Sequence, residues 1–126
     1  MKKLFLILSL TLSLTTAANA NDKPFAVGDV FFCETLKHVG WVWADEKQFK
    51  NYKLERFKFS IVDSKTIKFG KDGSFKDYEM EITDMLARIL EAKTDYSILV
   101  LNKNDFNYSS ATGFGLGFKA ATCDRF

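Results

Sequence analysis

Apolar and polar positions alternate along Leu54–Gly70. Phe57, Phe59 and Ile61 fall on one face, with Arg56, Lys58 and Ser60 on the other. Beyond the polar break Asp63-Ser64-Lys65, Ile67 and Phe69 resume on one face with Thr66 and Lys68 opposite. Period-two patterning on both sides of a turn-rich break predicts a β-hairpin with one buried face. A two-residue loop at Asp63-Ser64 would pair Ile61 with Thr66 and set apolar beside polar. The spacing therefore predicts an odd loop, of three residues.

Similar patterns run along the rest of the chain. Asp29–Glu34 reads as a short strand carrying Cys33. Val39–Ala44 reads as a second, with Val39, Trp41 and Trp43 on one face and Gly40 and Val42 on the other. Residues 45–51 form a polar connection with room for a helical turn. Gly70-Lys71-Asp72-Gly73 is a turn whose two glycines would supply the positive φ angles. Tyr78, Met80 and Ile82 alternate with Glu79, Glu81 and Thr83, a half-exposed strand. Met85–Lys93 fits either state. Met85, Leu86, Ile89 and Leu90 have helical spacing behind Asp84 as a cap, whereas flanking strands and shortness favour a strand, which is the expectation taken. Tyr96–Leu101 is a strand apolar on both faces, and Phe106 and Tyr108 begin the next. The last, Phe114–Cys123, puts Phe114, Leu116, Phe118 and Ala120 on one face and Gly113, Gly115 and Gly117 on the other. About eight short strands joined by short turns predict one mostly β domain, an antiparallel meander closed as a small barrel or folded as a sandwich.

The first twenty residues stand apart. Lys2-Lys3, the apolar run Leu4–Leu14 and Ala18-Asn19-Ala20 have the order of a signal peptide and its cleavage site. Cleavage after Ala20 would leave residues 21–126 as the mature domain, in the periplasm or outside the cell, with no stable membrane insertion. It also changes the charge. With Lys2 and Lys3 gone, sixteen basic residues face sixteen acidic ones, so the basic balance of the whole chain gives no reason to expect nucleic acid. The charges are unevenly spread along the sequence. Lys47–Lys76 holds nine basic and three acidic residues, Asp77–Asp105 seven acidic and three basic.

Cys33 and Cys123 are the only cysteines. In an exported chain the expectation is a disulfide, here one that links the first and last strands of the meander. A metal is not expected, because His38 alone could join them and structural zinc takes four ligands.

Little points to catalysis. His38 is the only histidine, and no serine sits in a nucleophile-elbow context. Glu79 and Glu81 share a strand face, which reads as a solvated face. Gly113-Phe114-Gly115-Leu116-Gly117 has the wrong spacing for a dinucleotide fingerprint; its glycines would make room for a neighbour or for curvature. Trp41 and Trp43 suit a core face, or else a platform for a sugar or partner. Together with Lys50, Tyr52, Lys53, Arg56 and Lys58 they form the candidate binding surface. The basic members of that set would meet an anionic envelope component or an acidic protein.

The ending Ala120-Ala121-Thr122-Cys123-Asp124-Arg125-Phe126 resembles that of short secreted bacterial proteins of unassigned function, which close in Cys-Asp-Lys-Phe. Phe32-Cys33 resembles their start loosely, and no function comes with the likeness. The plan of an exported β domain with linked first and last strands also resembles periplasmic C-type lysozyme inhibitors. Their Ser-Gly-x-x-Tyr signature has no counterpart here, Ser109-Ser110-Ala111-Thr112-Gly113 being the only serine-rich approach to a glycine. The expectation is a non-enzymatic, cofactor-free protein- or glycan-binding or inhibitor-type module of the cell envelope. The alternative is a barrel that carries a small apolar ligand.

Overall fold

The computed structural model describes residues 23–43 and 48–126. The expected signal peptide and its cleavage site lie outside the described residues. Nine strands follow in order: β1 (Val30–Val42), β2 (Gln48–Asn51), β3 (Arg56–Asp63), β4 (Thr66–Phe69), β5 (Glu79–Met85), β6 (Ile89–Lys93), β7 (Ser97–Asn102), β8 (Asp105–Thr112) and β9 (Gly115–Arg125). Each pairs antiparallel with the next from β3 to β9, and β9 returns to pair with β1. The fold is a closed eight-position barrel. β2 is an extra short strand that pairs with the far half of β1, while β3 pairs with its near half. Among the described residues no helix is long and apolar enough to cross a membrane.

The central hairpin keeps the predicted faces by a different device. Ile61 faces Ile67 and Phe59 faces Phe69, but the turn has two residues, Ser64-Lys65, and Asp63 pairs with Thr66. An extra residue on β3, Val62, restores the parity that a three-residue loop would have given.

A second bulge, at Leu36 between Thr35 and Lys37, divides β1. Before it Phe31, Cys33 and Thr35 point inward; after it His38, Gly40 and Val42 do. The two strands expected at 29–34 and 39–44 are therefore one strand whose inward parity switches. A third bulge, between Ile82 and Asp84, brings Met85 back toward the core. Met85–Lys93 is neither a helix nor a single strand. It is the end of β5, a turn at 86–88, and β6. The region expected as a polar connection contains β2, and residues 44–47 of it are outside the described residues.

Seven buried phenylalanines fill the centre: Phe25, Phe31, Phe57, Phe59, Phe69, Phe75 and Phe106. They touch in a chain, with ring centroids 4.8 Å apart for Phe31–Phe59, 5.4 Å for Phe59–Phe69 and 4.4 Å for Phe69–Phe75. Such pairs add about 0.5–1.5 kcal/mol each beyond the burial of their area. The lower end is closed by Pro24–Asp29, where Arg125 donates to the Pro24 carbonyl at 3.0 Å, pairs with Asp29 at 3.5 Å and covers the Phe25 ring. Cys33 and Cys123 are facing residues of β1 and β9 and form the expected disulfide. It joins two strands that are already hydrogen-bonded.

Candidate functional site: a polar cup at the upper end of the barrel

The phenylalanine core stops short of the upper end. There the inward positions of β1 are His38, Gly40 and Val42. Those of β9 are Gly115, Gly117 and Lys119, and those of β8 are Tyr108, Ser110 and Thr112. Gly40 faces Gly117 across the two strands. With no side chains at Gly40, Gly115 and Gly117, the upper third of the barrel becomes a cup rather than core. Crowding enforces glycine here. A Cβ on Gly115 would come within 2.0 Å of the Trp41 carbonyl oxygen, and one on Gly40 within 2.8 Å of the Tyr52 ring.

The loop 70–78 folds over one side of the cup as a lid. Backbone bonds from Lys76 to Gly73, Asp77 to Gly70 and Tyr78 to Phe75 make it compact. Of the two glycines expected to supply positive φ in the Gly70–Gly73 turn, Gly73 does so and Gly70 does not, and the loop's other positive φ is at Asp77. The lid drives Phe75 into the barrel, where its ring lies 4.8 Å from Tyr108.

One ion pair ties lid, wall and cup together. Lys119 is 1% exposed, an extreme burial for a lysine. Its ammonium donates to Glu55 Oε1 at 2.6 Å and to the Ser74 hydroxyl, and it lies 4.3 Å from the centre of the Phe75 ring. Glu55 also accepts from the Ser74 hydroxyl and, at 3.0 Å, from the Ser74 backbone N–H. Burial by itself would raise the Glu55 pKa, but the bonds from Lys119 and Ser74 overcome that and hold it at about 2. His38 faces Lys119 across β1 and β9. Burial, and then the neighbouring Lys119 charge, lower its pKa, against a smaller opposing pull from Glu55. The imidazole is accordingly neutral near pH 7, with its ring 4.6 Å from that of Tyr52 and tilted 31° to it.

Hydroxyls line the opposite wall. Tyr78 donates to Thr94 at 3.3 Å, Thr94 and Ser97 share a bond of 2.6 Å, and the Tyr108 hydroxyl lies near those of Ser97, Ser110 and Tyr78. Burial pushes the Tyr108 pKa up, so this phenol keeps its proton. Two cavities adjoin at His38. One of about 260 Å³ lies among His38, Ser74, Phe75, Tyr78, Tyr108 and Lys119. The other, about 280 Å³, is bounded by Tyr52, Ser110, Thr112 and the two glycines Gly115 and Gly117, and also by Trp41, Phe114 and Leu116.

The candidate surface read from the sequence is divided by the fold. Trp41 and Trp43 point outward, away from the core, because the bulge at Leu36 has reversed the parity of β1. Trp41 is packed at 4.8 Å against Phe49, its partner on β2, and at 6.3 Å against Trp43. Leu116 lies beside Trp41 on β9 and Phe118 beside Val39. Phe49 is 73% and Phe114 85% exposed. Tyr52 lies at the edge of the cup. Lys50 and Lys53 are exposed beside it. Arg56 and Lys58 lie further down, on the outside of β3, where Arg56 comes within 3.8 Å of Glu34. The charge asymmetry of the sequence does not become two separated faces at this wall. Lys68 of β4 stands beside Glu79 of β5 at 3.9 Å. Among the described residues no three His, Cys, Asp or Glu side chains come together as a metal site.

Sequence reasoning did not single out Lys119, Glu55, Ser74 or Tyr108. Lys119 does carry a signal, since it lies on the same strand face as Gly115, Gly117 and Ala121. Glu55 and Ser74 carry none, because their place depends on the lid. No protein-family model matches the chain, and neither a curated protein nor a solved structure matches it.

Proposed function

We propose that the protein is a non-catalytic binding module of the cell envelope, working in the periplasm or outside the cell, and that it grips a protein partner with its outward aromatic face. The observation that carries this reading is the contiguous row Phe49–Trp41–Leu116 across β2, β1 and β9, flanked by Trp43, Phe114 and Phe118. Aromatic side chains in one exposed cluster supply large contact area at small entropic cost, and they dominate binding energy at protein interfaces. A cross-strand disulfide fits an oxidising compartment. Outward charges on β3 to β5, among them Arg56, Lys58, Lys68, Glu79 and Glu81, favour water over lipid around that wall. The interior an apolar-ligand carrier would use is occupied by phenylalanine rings.

The test is affinity capture from envelope extract, comparing the wild-type protein with the variant Trp43→Ala/Phe49→Ala/Phe114→Ala. All three side chains are exposed, so the variant should retain the fold. One partner held by the wild type at both low and high salt, and lost by the variant, is the expected result. Equal capture by both proteins would overturn the assignment of the face. Capture abolished by salt would show that charge, not apolar contact, drives association.

A further inference from the structure

We propose that the cup is a second binding site, and that its ligand is an uncharged sugar ring. The inference rests on the inward side chains of the cup rather than on the outer aromatic face, of which Trp41, Phe114 and Leu116 border the second cavity.

Charge narrows the class first. Among the residues that line the two cavities Lys119 is the ionised one, it is bonded to Glu55, and His38 beside it is neutral. An ion entering here would lose its water without gaining a counter-charge, which is costly. A neutral ligand meets no such penalty.

The lining then says what kind of neutral molecule fits. Tyr108 and Ser110 present hydroxyls to the two cavities, each able to donate or accept, beside those of Ser74, Tyr78 and Thr112, which also bond to Glu55, Thr94 and the 112–115 turn. A polyol has the same dual character at each of its hydroxyls. An apolar ligand would shut water from the remaining lone pairs of these hydroxyls without replacing its hydrogen bonds. Aromatic surface flanks the hydroxyls, with Phe75 in the first cavity and Tyr52 in the second, His38 lying between them. Phe75 is covered by Lys119 and Phe69, so the open ring is that of Tyr52, which gives the C–H face of a sugar an apolar bed while its rim bonds to the wall. Together the two adjoining cavities fall within the range usual for small-molecule sites, about 300–1,000 Å³.

The glycines set the space. A Cβ on Gly117 would meet Ser110 Oγ at 2.7 Å, so even alanine would intrude where the second cavity lies. The latch uses Ser74, and Tyr78 and Thr112 bond to Thr94 and to the 112–115 turn, but none of these contacts requires the open space beside Tyr108 and Ser110.

Titration of the oxidised full-length protein, followed by amide chemical shifts, tests this. The probes are glucose, galactose, N-acetylglucosamine and a disaccharide of each, with glucuronate and glucosamine as charged controls. At least one neutral sugar should give saturable shifts at His38, Ser110 and Gly117, with neither charged control matching its affinity. Tyr108→Phe, which keeps the ring, should weaken that affinity about tenfold, the worth of one hydrogen bond. If Tyr108→Phe does not fold, Ser110→Ala takes its place with the same expectation. No saturable shift with any neutral sugar would overturn the proposal. So would equal binding of glucuronate or glucosamine, or shifts confined to Trp43, Phe49 and Phe118 on the outer face.

Discussion

Replacing Glu55 with Gln tests whether the buried lysine is held by its carboxylate or by its surroundings. Lys119 is 1% exposed, whereas the Glu55 side chain is 24% exposed. The two halves of the pair are therefore unequal. E55Q leaves an ammonium buried with Ser74 and the faces of Phe57 and Phe75 as partners. Breaking a buried pair in this way costs about 3–5 kcal/mol, and the partial exposure of Glu55 places the expected loss at about 3 kcal/mol or somewhat less. K119M removes the ammonium but fills the same space among Phe57 and Phe75. It leaves Glu55 bonded to Ser74 with access to water, so its cost should stay within about 1 kcal/mol, and the variant can even be more stable. The double variant E55Q/K119M should be more stable than E55Q alone.

Acid provides a second reading of the same pair. Glu55 drops from an ordinary 4.5 to about 2 in the folded protein. A depressed carboxylate stabilises the fold fully above its unfolded pKa, and the contribution is lost as pH falls from about 4.5 through about 2. At about 1.4 kcal/mol per unit the ceiling is near 3 kcal/mol, reduced to about 1–2 kcal/mol by screening of a partly exposed group. Urea unfolding followed by circular dichroism between pH 7 and pH 2 measures both effects. For a typical urea slope of about 1–3 kcal/mol per molar, E55Q should shift the midpoint by about 1–3 M at neutral pH. It should also lack the part of the acid loss that belongs to Glu55. If K119M is as damaging as E55Q, or if E55Q is as acid-sensitive as the wild type, the reasoning fails.

Two further outcomes follow from the interior. The Thr35 hydroxyl is buried without a hydrogen-bond partner, so Thr35→Val, which keeps the shape, should raise stability by about 1 kcal/mol in the same urea assay. The disulfide closes a span of 90 positions, and Cys33→Ser/Cys123→Ser should lose on the order of 4–5 kcal/mol by the loop-entropy account. Eleven residue pairs hold β1 to β9 in register, so the reduced barrel should keep its circular dichroism spectrum below a lowered thermal midpoint.

Much of the barrel was legible in the sequence because period two is a strong signal wherever one face is apolar. Phe57, Phe59, Ile61, Ile67 and Phe69 all point inward as their alternation requires. The antiparallel meander and the cysteine bridge follow from short connections and from an even cysteine count. Bulges are what the alternation conceals. Val62 let a two-residue turn keep the faces that seemed to need three. Leu36 fused two expected strands into one and turned Trp41 and Trp43 outward. A bulge adds one residue without changing composition, so nothing in local hydrophobicity marks it, and every parity beyond it is reversed.

The last strand shows why the cup escaped notice. In β9 the apolar residues Leu116 and Phe118 face out, while Gly115, Gly117 and Lys119 face in. A rule that sends apolar side chains to the core assigns that strand backwards. Two features of the strand decide the question. Gly115 must approach the Trp41 backbone more closely than any side chain would allow, which fixes the glycine face toward β1 and the barrel interior. Lys119 on that same face then has to find an anion, and only the fold can supply one, since Glu55 lies 64 positions away and meets it through a lid anchored by Ser74. Once that face is turned in, Trp41, Leu116 and Phe118 have no place but the outside. The exposed aromatic face and the polar cup are thus two consequences of one strand orientation, set by glycine crowding rather than by hydrophobic burial.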